Sequence, residues 1–109
     1  MAVNCLEKRY HFQLAPIMLV VEWRDADLME EEVLVVRERG SITFNFHRSI
    51  FARVVGKHLK NLRPLSMEIR GERVVLKLNQ EEGEELRAWL LLNLNKGFFI
   101  TELECLELR

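Results

Sequence analysis

The chain has 109 residues, 49% of them hydrophobic and 30% charged, and its 16 Lys+Arg against 17 Asp+Glu leave a formal charge of −1. Ordinary apolar content with only five Gly and two Pro excludes a disordered or collagen-like chain. No apolar run approaches the ~18 residues that span a membrane, and the length fits one α+β domain over residues 1–109.

Near the N-terminus, Leu14 to Val21 is the longest apolar run and follows Lys8 and Arg9. It contains Pro16, lacks a small-residue cleavage site and leads into Glu22-Trp23-Arg24-Asp25, so it reads as a strand rather than a secretory signal. Tyr10, Phe12 and Leu14 alternate ahead of it, which predicts one strand over residues 9–23 that breaks at Pro16. Cys5 and Cys105 lie near opposite ends and read as free thiols in a reducing cytoplasm, the expected location. Residues 24–32 are polar and predict a loop with one helical turn. A helix capped at Asp25 and ending at Gly40 is the rival, but the β-branched Val33-Leu34-Val35-Val36 favours a strand.

Val33–Arg37, a turn through Glu38-Arg39-Gly40, and Ser41–His47 predict a hairpin with Ile42, Phe44 and Phe46 on one face. Ser49 is placed to cap a helix from Ile50 to Leu62, with Ile50, Phe51, Val54, Val55, Leu59 and Leu62 on its apolar side. Pro64 ends it, and Gly56 inside it costs about 1 kcal/mol relative to Ala, so a packing or ligand reason is expected there. A second hairpin pairs Leu65, Met67 and Ile69 with Val74, Leu76 and Leu78 around Arg70-Gly71-Glu72. Asn79 followed by Glu82 resembles a capping box for a helix running to about Asn95, with Gly97 beyond it. Phe98 to Leu108 predicts a last strand, alternating through Phe99, Thr101, Leu103 and Cys105 before slipping face at Leu106 and Leu108.

The expected architecture is therefore a mainly antiparallel sheet of hairpins with two helices packed on one face. It carries a possible ββα pseudo-repeat: Ile42, Phe44 and Phe46 fall on Val74, Leu76 and Leu78 when shifted by 32 residues. Any two hairpin–helix units would align in a similar way.

Charge is segregated. Residues 1–36 and 78–109 each hold three basic and seven acidic side chains, whereas residues 37–77 hold ten and three. On an ideal helix Arg53, Lys57, Lys60 and Arg63 fall within about 120° of one another, opposite the apolar side. Their like-charge spacings each cost a few tenths of a kcal/mol. Solvent, the chain's own Glu30–Glu32 or Glu81–Glu85, or an anionic partner would offset that repulsion. Arg37, Arg39, Arg48 and Arg70 would widen the track along a phosphate backbone, and such binding would weaken steeply with salt.

Motifs fix no reaction. Arg39-Gly40 and Phe46 match an RNA-recognition strand signature, but Ser41 and Thr43 stand where the stacking rings should be, so Phe44 and Phe46 read as core. His11, His47 and His58 lack zinc spacing, the serines lack a nucleophile elbow, and dispersed glycines build no phosphate loop. No cofactor, metal or catalytic residue is assigned. Leu86 to Leu94 is apolar almost all round, which predicts a subunit contact through Trp89, Leu91 and Leu92. The leading expectation is a small non-enzymatic, homodimeric binding module whose basic centre takes an anionic partner, nucleic acid first and acidic protein second, with no membrane. The alternative is a homo-oligomeric structural or regulatory protein-interaction subunit that binds no nucleic acid.

Overall fold

A computed structural model describes residues 3–9, 14–21, 25–56 and 58–106, the first two stretches through their backbone pairing. Seven strands form one sheet: β1 Val3–Arg9, β2 Leu14–Val21, β3 Glu32–Glu38, β4 Ser41–His47, β5 Ser66–Arg70, β6 Arg73–Asn79 and β7 Phe99–Leu106. Their order across the sheet is β2-β1-β7-β3-β4-β6-β5. Every neighbouring pair is antiparallel except β3 with β7. That parallel pair follows from topology, because α2 (Gln80–Leu92) carries the chain from β6 back across β4 and β3 before β7 begins. The α+β class, the two hairpins and the helical layer on one face are as expected. No helix among the described residues is long and apolar enough to cross a membrane.

Alternation decides the two faces. Val33, Val35, Ile42, Phe44, Phe46, Leu76, Leu78 and Ile100 share the face that Leu86 and Leu90 of α2 cover. Gly83 lets α2 sit directly on β4: a Cβ there would lie 2.7 Å from Cβ of Ile42. The opposite face has a smaller core of Leu34, Val36 and Leu103, with Leu28 and Cys105 packed against it.

Three expectations are corrected. Residues 9–23 are not one strand, since β1 ends at Arg9 and β2 begins at Leu14; Tyr10, Phe12 and His11 lie outside the described residues. The helix expected over residues 50–62 is broken. A single turn α1 (Arg48–Ile50) leads into a wide turn over Phe51–Val55, followed by a tight turn over His58–Asn61. His47, not Ser49, caps it, its Nδ1 accepting from the Ser49 amide at 3.2 Å. The break has a local cause: the Gly56 N–H reaches five residues back to the Phe51 carbonyl at 2.7 Å, and a Cβ at Gly56 would stand 3.2 Å from the Ala52 carbonyl oxygen. Finally, the cysteines are not free thiols. Cys105 is disulfide-bonded, and the β1–β7 register sets Cys5 directly opposite it.

The near-repeat has a geometric counterpart. In the β4–β6 ladder Phe44 faces Leu76, flanked by the pairs Ile42–Leu78 and Phe46–Val74. A 32-residue shift exchanges the two flanking pairs and returns Phe44–Leu76 to itself, so the two hairpins are related by an approximate two-fold axis through Phe44–Leu76. Under that axis β3 and β5 are equivalent outer strands. β7 covers β3, whereas β5 ends the sheet.

Candidate interaction surface

The basic centre does not form a single strip. Arg37 lies on the helix-covered face, where its guanidinium bonds Glu84 and approaches Glu104 at 3.5 Å and Glu102 at 3.9 Å. Arg48 pairs with Glu72 at 3.8 Å, and Arg70 with Asp25 at 3.6 Å and Glu68 at 3.9 Å. Arg53 donates to the Lys96 carbonyl at 3.1 Å. Lys57 lies outside the described residues. Arg39, Lys60 and Arg63 are exposed, and the Arg63 amide donates to Glu82 at 3.0 Å. Strand registers put Arg39 at the Ser41–Asn79 end of the sheet and Arg48 and Arg70 at the His47–Arg73 end. Seven-residue strands separate those ends by about 20 Å. Arg37, Arg39, Arg48 and Arg70 therefore do not line one continuous track, being divided between opposite ends of the sheet or paired with carboxylates.

The helical contact also disperses. Trp89 is partly buried and stacks on His58 with ring centroids 5.0 Å apart, Leu91 packs against the core, and Leu92 is 83% exposed. Phe44 and Phe46 are fully buried and stack on each other, so they offer no platform to a base. Between the His58–Asn61 turn and the start of α2 lies an open cleft of ≈ 500 Å³, lined by His58, Asn61, Leu62, Asn79, Glu81, Glu82 and Glu85. Among the described residues no three His, Cys, Asp or Glu side chains are grouped to hold a metal ion.

Sequence reasoning missed two polar networks. Buried Arg73 donates to the Asn45 side chain at 2.7 Å and to the carbonyls of Met29, Glu32 and Asn45. Burial lowers its pKa, against the opposing pull of Asp25 and Glu32. Asn45 in turn donates to Asp25, so the network clamps the loop before β3 onto the face away from α2. On the helix side, Arg37 and Arg87 surround Glu102, which is 2% exposed. The signal was present: Arg37 continues the parity of Val33 and Val35, and Glu102 that of Ile100, so charges occupy positions that alternation assigns to the core.

The remaining feature is the β5 edge. All five residues of β5 are exposed, and among the described residues its backbone pairs with β6 alone. Leu65, whose amide donates to the Lys77 carbonyl, is 59% exposed, Met67 56% and Ile69 71%. They belong to the face that α2 covers, because Met67 and Ile69 oppose Leu76 and Val74 in the ladder. α2 packs chiefly on β4 and β6 and leaves the β5 side chains exposed. Gly71, with φ +57°, makes the tight turn that returns the chain into β6. The result is an open hydrogen-bonding edge bearing an apolar row. No family model matches the chain, no curated protein matches it, and no solved structure matches it.

Proposed function

We propose that this chain is a non-enzymatic protein-interaction module that engages a partner chain through the open edge of β5. The observation that carries the reading is the exposed row Leu65, Met67 and Ile69 beside a strand edge that no strand among the described residues pairs with. An edge of this kind templates another strand unless charge, proline or a covering element guards it; Pro64 guards only its beginning, and Glu68 and Arg70, of opposite sign, restrict which strand can pair there. The basic side chains point the same way, since Arg37, Arg48 and Arg70 have carboxylate partners within the chain.

Incorporation of a photo-crosslinking phenylalanine analogue at position 69 in cells tests this. A protein crosslink at 69, absent with the analogue at position 39 at the far end of β3, is the expected result. Absence of any protein crosslink at 69 rejects the reading.

A second reading, nucleic-acid binding, is supported by Arg39, Lys60 and Arg63, which stay exposed without a side-chain partner among the described residues. Glu81, Glu82 and Glu85 share the cleft beside the His58–Asn61 turn and weaken the field there. Fluorescence-anisotropy titrations with single- and double-stranded oligonucleotides at two salt concentrations decide it. Binding at low salt that falls steeply with salt would favour this second reading.

A further inference from the structure

We infer that the partner at the β5 edge is a second copy of this chain, paired antiparallel about a two-fold axis through Ile69. This rests on the edge-recognition reading above and names its partner.

Residues opposite each other in a sheet point to the same side, so a register that meets apolar with polar residues is excluded. Five symmetric registers, centred on each residue of β5 in turn, keep Met67 and Ile69 on one face and Ser66, Glu68 and Arg70 on the other. An axis through Arg70 sets two guanidiniums, and Glu68 and Glu72, against each other, and one through Ser66 leaves Glu68 opposite Pro64 with no charge pairing. An axis through Glu68 sets two carboxylates face to face, which costs stability. An axis through Met67 leaves each Arg70 opposite Pro64 of the other copy and gains no charge pairing. An axis through Ile69 places Ile69 against Ile69 and Met67 over side-chain-free Gly71. It also places Glu68 opposite Arg70 of the second copy, twice. Charge complementarity therefore selects both the occupant and the register, because the strand is its own complement.

Glu68 and Arg70 have side chains 64% and 46% exposed and touch loosely within the strand at 3.9 Å; Arg70 also holds Asp25 at 3.6 Å, so its guanidinium would be shared between Asp25 and Glu68 of the second copy. The pseudo-two-fold of the hairpins adds a structural argument: the equivalent edge, that of β3, already accepts a strand, β7.

Sedimentation velocity on the full chain over a range of concentrations tests the inference. The wild-type chain should dimerise reversibly. Glu68→Arg and Arg70→Glu should each weaken self-association about tenfold, because each turns two attractive cross-strand pairs into repulsive ones. An equimolar mixture of the two variants should recover association, since one edge is then wholly basic and the other wholly acidic. Ile69→Lys, at a side chain 71% exposed, should abolish the dimer while leaving the circular-dichroism melt unchanged at concentrations where the wild type is monomeric. A monomeric wild type, a dimer indifferent to Ile69→Lys, or a mixture no tighter than its components would overturn the proposal. A crosslink from position 69 to a different protein, with the wild-type chain monomeric, would keep edge recognition and reject the second copy.

Discussion

At the scale of single residues, two positions carry more of the structure than their type suggests. Gly83 is the first. Replacing a helical glycine by alanine ordinarily gains about 1 kcal/mol, but here the new methyl would lie 2.7 Å from the branch carbon of Ile42. The near end of a β-branched side chain in a packed core has little room to yield, so overpacking wins. Gly83→Ala should destabilise the fold by about 1–2 kcal/mol in urea denaturation, and Ile42→Ala in the same chain should relieve part of the clash. A stabilised Gly83→Ala variant would show that α2 stands farther from β4. Arg73 is the second. Arg73→Met keeps the stem and removes every donor, orphaning the buried carbonyls of Glu32 and Asn45. The expected loss is about 3 kcal/mol, with hydrogen exchange accelerating first in residues 25–32. Neither role can be read from one sequence: Gly83 sits in a solvent-like run of glutamates, and Arg73 in a region where positive charge suggests an external partner.

At the scale of elements, legibility followed the strength of the period. β4 matches its expected bounds, and β3, β5 and β6 lie within a residue or two of theirs, because turn residues bracket clean alternation. The N-cap of α2 is also as expected, with Asn79 accepting from the Glu82 amide at 2.8 Å. The reciprocal half of a capping box is not made, because Glu82 receives the Arg63 amide instead. Asn79→Ala should therefore cost about 1 kcal/mol, and Glu82→Ala should loosen the approach to β5 more than it frays α2. Amide exchange at Arg63 against that at Gln80 and Glu81 distinguishes the two effects. The segment after β4 was misread for a physical reason. Its apolar residues keep helical spacing, but spacing does not report that Gly56 admits a wide turn. The β5 edge was visible as alternation; that its apolar row would stay uncovered depended on where α2 ends up, which is a tertiary fact.

At the scale of the whole molecule, the segregation of charge along the chain is resolved inside the fold. Acidic residues of the last third meet Arg37 of the middle third, and Asp25 of the first third meets Arg70. The densest case ties three elements together, with Arg37 of β3 and Arg87 of α2 sharing Glu84 of α2 and Glu102 of β7. Glu102 is buried, so its charge is tolerable only while a cation stays close, and either arginine alone keeps one within reach. Arg37→Ala and Arg87→Ala should each destabilise by about 2 kcal/mol. Together they should cost more than their sum, by roughly 1 kcal/mol, because the second loss strands the carboxylate that the first left partnered. Adding Glu102→Leu to the double variant should then regain stability, since removing the stranded charge lifts its desolvation penalty. Urea titrations of the wild type and the four variants measure both terms. Strict additivity without rescue would mean that the two arginines do not share Glu102 and that its burial carries no charge penalty they offset.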